Sequence, residues 1–396
     1  MVIKLERDLG NSMNDQDVIA GQDANVVKGN ENSITSNSNN TVNNQFIQNV
    51  AIYTDPAVNR GASTYEVMSI CDFMVNKALA EFNSANEKAL ARNKDFAQIF
   101  IPRLEKVENY INHISDPKFQ FLCRDAMTSA AQTERKEDYQ LLSELLACHV
   151  EKGIVNKKID SAVSRAIKIV DEVDNAALCG LTLALAIRYV IPVTGNIREG
   201  IGVLNTMYEK LLYCELPKDD WLDHLETLGA IRFLNIRIKN SIEKVLSTSL
   251  NGYLCVGIKK DSEKYRQMQE KLREVNLNEN FLVNHECLDG YVRLPIRDNE
   301  SIKKLVIAYP DGNRMEITDQ QIAVLENIFT SYEKDEALMR EVKKNIIAIW
   351  DSFPTLKTVR EWWDDVSGSF SITYIGKVLA HTNAKRCDST FPDLLT

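Results

Sequence analysis

Apolar positions along this chain change their period twice. From Ile19 to Ile52 single apolar residues stand in a polar, amide-rich background: Ile19, Val27, Ile34 and Val42 lie seven or eight residues apart, followed by Ile47, Val50 and Ile52. A short strand closed by an Asn or Gly turn gives such a period, because both residues tolerate the left-handed turn conformation. The pattern predicts about four rungs of a β-repeat, of β-solenoid or β-arch type, with Asn side chains stacked in ladders. The rungs of one chain cannot bury their own apolar face, so copies of the segment on other chains complete them. Val27, Ile34, Val42, Ile47, Val50 and Ile52 are therefore the candidate self-assembly residues. The competing expectation is disorder, since a tract of Ser, Asn, Gln and Gly buries little apolar area to offset ordering entropy. The maintained spacing favours the ordered reading.

After a turn-rich stretch, Thr54 to Ser63, the period becomes helical. Ser63 with Glu66 reads as a capping box, and Val67, Cys71, Met74, Ala78, Phe82, Ala85 and Ala89 follow on one stripe. A second stripe runs through Phe96, Phe100, Leu104, Val107, Ile111 and Ile114, with Pro102 as a candidate kink. Packing within the chain is favoured for these stripes over a coiled-coil seam between copies. Asp116-Pro117 marks the next helix start. Amphipathic segments are predicted over Lys136–Lys152, Asn156–Val173 and Val203–Leu212. Asn175–Ile191 is apolar on nearly every face and is predicted to be a buried central helix. The run Ala176–Val193 is interrupted by Arg188 and Pro192, so a membrane span is not expected.

From Trp221 the pattern mixes helix and strand. His224–Leu234 reads as helix, Gly229, then an extended apolar tail, as where a winged helix passes into its wing. Tyr253–Ile258 and Phe281–Ile296 read as strands around a charged helix, Asp261–Glu274, and 304–317 as a hairpin turning at Pro310-Asp311-Gly312. Thr318 or Asp319 caps a helix running to about Lys344, which continues or restarts to Phe353, and Thr355–Val366 is a short helix. Ser369–Arg386 reads as a strand entering a last helix. The predicted fold class is mainly α. An Asn-rich β-repeat, 1–62, precedes an irregular α-helical body, 63–220, and a smaller α+β, winged-helix-like region, 221–396.

Composition narrows the function classes. The 396 residues are 44% apolar and 26% charged, as in soluble globular proteins. A net charge of −9 argues against bulk attraction to nucleic acid. Eight cysteines without CxxC spacing, mostly in apolar stretches, predict reduced buried thiols and a cytoplasmic protein. There is no signal-peptide apolar core at the N-terminus. No phosphate loop, dinucleotide fingerprint or zinc spacing occurs, so no catalytic, cofactor-binding or metal-ligating residue is assigned and no cofactor is expected. Gly195–Gly202 follows a helix and reads as a loop and N-cap rather than a phosphate cradle. Cys148 and His149 diverge on a helix. His285 and Cys287 share a strand face, but an active thiol there needs a cation or helix dipole. Asp219-Asp220 and Asp364-Asp365 read as solvated helix ends, and Trp362-Trp363 as one core anchor and one interface anchor. Lys377, Lys385 and Arg386 make a small basic patch, offset by Asp388 and Asp393.

Three pieces in order carry a resemblance: the Asn-rich repeat before a capped long helix, DPKFQFLCRDA at 116–126, and SITYIGKVLAHTNAKR at 371–386. Together they resemble a family of uncharacterised bacterial proteins, which implies no reaction and no catalytic residues to carry over. The repeat by itself is similar to the β-arch signalling motifs of bacterial and fungal immune proteins, although glycine is absent after Gly29 in this segment. The expectation is a non-enzymatic homo-oligomer, assembled through the repeat, with a sensing or scaffolding role in bacterial phage defence or stress. A protein partner fits that role; nucleic acid and membrane are not the expected partners. The alternatives are a DNA-binding regulator using the winged-helix-like region, an enzyme whose site has no local motif, and a membrane-acting effector.

Overall fold

Helix caps set the order of elements in the computed structural model. It describes residues 64–107, 116–153, 155–192, 194–218, 220–234, 239–308 and 314–395, with side chains from Ser84 onward, apart from 307–315. The six self-assembly residues, Ser63 and the hairpin turn lie outside the described residues. So does the whole segment 1–62, for which a β-repeat is expected. Residues 89–396 form one compact unit, and the described residues 64–88 belong to another. In the latter the chain is helical throughout.

The fold is mainly α, and among the described residues the strands are short and lie in the second half. The first helix, α1 (Thr64–Leu104), ends two residues past Pro102, so the proline sits in its last turn. Within the larger unit Phe96, Leu104 and Val107 of the second stripe are buried, and Phe96 stacks on Phe100 at 5.6 Å. Asp116 caps α2 (Pro117–Gln132), accepting from the Lys118 amide at 3.0 Å, with Pro117 in the first turn. The helix α3 (Lys136–Cys148) does not run on to Lys152. A π-turn, His149–Gly153, replaces its last turn. There the His149 ring stacks on Phe119, centroids 6.1 Å apart, and lies 3.1 Å from Asp160. Asn156 caps α4 (Lys157–Ile167), and Asp174 caps α5 (Asn175–Tyr189). Every residue from Ala177 to Ile187 is buried, as the sequence predicts for a central helix. No helix of the described residues is long and apolar enough to cross a membrane.

Asn196 caps α6 (Ile197–Leu211), and α7 (Trp221–Thr227) ends in the double hydrogen bond of a Schellman turn: Gly229 N–H to Glu226 O and Ala230 N–H to Leu225 O, both 2.8 Å. Gly229, at φ 71°, takes the left-handed position this turn needs. The strand β1 (Ile231–Phe233) follows. Its partner is not a neighbouring wing strand but β7 (Phe370–Ile372), from the far end of the chain, in antiparallel register Ile231↔Ile372. Helix, glycine, strand is therefore present, while the strand pairing differs from the winged-helix expectation.

Next come α8 (Ile242–Ser249), β2 (Ile258–Lys259), α9 (Glu263–Glu274), β3 (Val283–Asn284) and β4 (Tyr291–Arg293), with strand order β2-β4-β3, all antiparallel. The strands are shorter than the apolar runs suggest. Tyr253–Val256 is instead buried irregular chain. The hairpin forms as predicted, β5 (Val306–Ala308) with β6 (Arg314–Glu316). Thr318 opens α10 (Asp319–Thr330) with a capping box. That helix stops at Thr330, and α11 (Glu336–Asp351) restarts where the Asp335 carboxylate caps the Ala337 and Leu338 amides. Then come α12 (Pro354–Asp365), β7 and α13 (Tyr374–Cys387). One core runs from Phe96 to Leu395, across position 220. A smaller one, from Cys255 to Tyr332, lies between the three-stranded sheet and α9 and α10.

The last helix is the centre of the larger core, packed against α3, α4 and α5. Its start is fixed by Thr373, whose amide donates to Ala230 O at 3.0 Å and whose hydroxyl donates to Gly229 O at 2.7 Å. A Cβ on Gly376 would stand 2.0 Å from Ala230 O, a backbone atom with no room to yield. Gly376→Ala is therefore expected to destabilise the protein by roughly 1–3 kcal/mol, read as a lower urea midpoint.

Further along, α13 carries a buried polar run, His381, Thr382 and Asn383. Burial pushes the His381 pKa down to about 4, against Asp393 at 3.4 Å, while Lys152 and Lys385 act with burial. An unfolded chain protonates a histidine near pH ~6.5. The folded state then binds fewer protons between pH 6.5 and about 4, so stability is full above that window and falls as pH drops through it. The expected loss for this group is roughly 3 kcal/mol, and His381→Leu should flatten that part of the urea midpoint's pH profile.

Candidate functional site

A polar cleft of about 470 Å³ lies between the start of α6, the loop 286–291 and one face of α11, lined by Arg198, Glu286, Asp289, Tyr291, Glu341 and Asn345 among others. Its floor is set by one charge pair. Arg293, on β4, is fully buried, and its guanidinium grips Glu286 through Nε to Oε2 at 3.0 Å and Nη2 to Oε1 at 2.7 Å. Further donors reach Leu294 O at 2.9 Å and Gly195 O at 3.2 Å, and the cation lies 4.6 Å over the Tyr253 ring. Tyr253 in turn accepts from the Gly195 amide at 3.1 Å. A buried pair is tolerable when hydrogen bonds engage all three guanidinium nitrogens, as here.

Glu286 also accepts from the Ile197 amide at 3.2 Å, at the N-terminus of α6. That helix end holds an anion after all, but the anion is the chain's own carboxylate. This agrees with the reading of Gly195–Gly202 as loop and cap: Asn196 Oδ1 accepts from the Arg198 and Glu199 amides at 2.9 and 3.2 Å.

His285 and Cys287 are brought together, but not as base and nucleophile. His285 Nδ1 accepts the Cys287 backbone amide at 3.0 Å, which leaves the proton on Nε2, donating to Cys255 O at 2.7 Å. Both ring nitrogens are spent on backbone, and burial pushes the imidazole pKa down. Burial likewise pushes the Cys287 thiol up to about 11 and Cys255 up to about 12. A thiol shifted that way is a poor nucleophile at neutral pH. Asn345 Nδ2 donates to Cys287 O at 2.9 Å, tying α11 to the loop. The seven described cysteines are all free thiols.

Other sequence candidates fall elsewhere. Trp363 is 1% exposed and sits in the core, its indole donating to Asn240 O at 2.9 Å. Trp362 is partly buried and donates to Pro217 O at 2.9 Å. Asp364 is more than a solvated helix end: it accepts from the Ile242 amide at 2.9 Å and so caps α8. His149 faces Asp160, whose other oxygen pairs with Lys118. Among the described residues no group of three or more His, Cys, Asp or Glu is placed to hold a metal. Sequence reasoning missed the Glu286–Arg293 pair; the available signal was a lone Arg inside the apolar run Tyr291–Ile296.

A family model whose description is “:-like” matches residues 61–394. The chain belongs to that family. The match takes in 116–126 and 371–386, two of the segments that carry the resemblance, and begins after the Asn-rich repeat. No curated protein and no solved structure matches.

Because the cleft floor hangs on one buried pair, Glu286→Ala strands Arg293 and is expected to cost ~3–5 kcal/mol. The double variant Glu286→Leu with Arg293→Met should recover much of that loss in a denaturant titration.

Proposed function

We propose that this is a non-enzymatic, self-assembling protein in which the N-terminal repeat joins copies and the helical body does the sensing or scaffolding. One observation in the body carries the reading. Beside an open polar cleft, the two side chains best suited to chemistry, His285 and Cys287, are locked into the backbone or pushed away from reactivity. Such a site is built to recognise rather than to react.

The assembly half of the reading rests on the spacing of Val27, Ile34, Val42, Ile47, Val50 and Ile52. The family match starts at residue 61, past these positions. A role in bacterial phage defence or stress rests on the likeness of the repeat to β-arch signalling motifs. The cleft is then the place where the body meets a ligand or a protein partner.

Removing residues 1–55 and comparing mass in solution by light scattering tests the assembly. The full chain is expected to run as an oligomer and the shortened chain as a smaller species, and Val27→Asp with Ile34→Asp and Val42→Asp should mimic the deletion. An oligomer of unchanged mass would remove the repeat from its role.

A further inference from the structure

A strip of cations and aromatic rings crosses one end of the helical core, where α5 ends and α4 and α13 begin. Lys377 on α13 places its ammonium 5.3 Å from the Tyr189 ring and 5.5 Å from the Tyr374 ring. Lys158, in the first turn of α4, also reaches Tyr374, 5.7 Å from its ring centre. Both tyrosines are open to solvent, at 43% and 51% exposure.

Next to Tyr189, Arg188 lies 4.3 Å over Phe370 and 5.6 Å over Trp363. Lys239 sits 5.1 Å from the centre of the Trp363 ring and donates to Trp363 O. Arg188 lies close enough to Lys239 to disfavour the lysine's charge. Asp364 and Asp365 offset Lys239, but no carboxylate among the described residues pairs with Arg188, Lys158 or Lys377.

Partly buried cations normally find an acid, because desolvating an unpaired charge is costly. Here Arg188 and Lys377 are steadied by ring faces instead, an arrangement that leaves their positive charge uncancelled. The two exposed rings stand among the cations rather than in an apolar patch. That combination, cations at intervals with half-exposed rings among them, suits a phosphodiester strand with unstacked bases, a base taking the ring as the lysine above it moves to a phosphate. A duplex hides its base faces, and an acidic peptide has no use for the rings. The chain's net charge of −9 makes the whole surface repel polyanions, so binding must be local to this strip.

We propose that the strip formed by Arg188, Tyr189, Lys377, Tyr374 and Lys158 is a binding surface for single-stranded nucleic acid, with bases on the two tyrosines and phosphates on the cations. The site goes beyond the assembly reading and does not depend on it. Every residue in it lies in the family-matched region, and none lies in the repeat.

The test is fluorescence anisotropy of a labelled mixed-sequence single-stranded oligonucleotide of about 20 nucleotides, titrated with the full chain at low salt, long enough to span several stacked bases. Binding is expected, weakening steeply as salt rises because about three phosphate contacts release counterions. Tyr374→Ala should weaken it by about 5–150-fold, the range for losing one stacked base. Lys377→Glu should weaken it further and lower the salt slope. Lys158→Glu, at an exposed position in the first turn of α4, should act in the same direction. Arg266→Glu, on the exposed face of α9, should change nothing. Absence of binding at low salt, or equal binding by the Lys377→Glu and Lys158→Glu variants, overturns the proposal. So does equal affinity for a duplex of the same sequence or for polyglutamate, which would indicate charge attraction alone.

Discussion

The larger core is organised by the need to satisfy a polar helix placed at its centre. The last helix, α13, carries His381, Thr382 and Asn383 where neighbouring helices offer mostly aliphatic side chains. Asn383 has no exposed surface, so each of its amide atoms must find a partner inside. Its Nδ2 donates to Thr182 on α5 at 2.8 Å, and its Oδ1 accepts from Arg386 Nε at 2.9 Å. Thr382 turns its hydroxyl back to Val378 O at 2.8 Å. These bonds fix the rotation of α13 and its depth against α5, since an apolar helix could slide or turn at little cost. At the start of the helix the Gly376 contact with Ala230 fixes its height, and through β1 and β7 it joins the two ends of the residue 221–396 region.

Of the two candidate surfaces, the strip takes its place from α13, while the cleft is built on α6, the loop 286–291 and α11. The polar cleft and the cation–ring strip lie at different elements, and they treat charge in opposite ways. In the cleft Arg293 is fully buried and fully paired, with Glu286 and the α6 N-terminus closing a circuit of opposite charges. Along the strip the cations are only partly covered and rest on rings, so their field reaches solvent. A closed circuit gives shape; an open one gives attraction. The cleft therefore has a floor of cancelled charge, and the strip keeps a net positive one.

Much of the local structure is legible in the sequence because it depends on local chemistry. Asp116-Pro117, Asn196 and Thr318 open their helices with the amide bonds that their side chains predict. The wholly apolar character of Asn175–Tyr189 marks its burial. The π-turn at His149–Gly153 is not legible: there His149 meets Phe119 and Asp160 from other helices, contacts that no local pattern specifies. The break before Glu336 has a readable signal in Asp335 that the continuous helical period conceals. Tyr253–Val256 looks like a strand because its side chains are buried, yet burial of an apolar run does not require a ladder partner. The β1–β7 pair joins residues about 140 positions apart in a register that no local pattern specifies, which is a general limit of reading pairing from one strand.

The candidate sites show the same division at the level of chemistry. His285 and Cys287 are visible in the sequence as neighbours on one strand face, and their adjacency is real. What decides their role is the amide of Cys287, a backbone donor that occupies the nitrogen a base would need. Conversely, Lys377 is visible only as a charge in a weak basic patch with Lys385 and Arg386. The fold separates that patch: Arg386 turns inward to Asn383 and lies 4.7 Å over Tyr213, while Lys377 joins Tyr189, Tyr374 and Lys158. Charge spacing along one helix therefore misassigns the partners, because successive turns of α13 face different neighbours. The strip exists only because the start of α13 is pinned beside the end of α5, so the packing constraint that holds the core together also determines which cations remain unpaired at its edge.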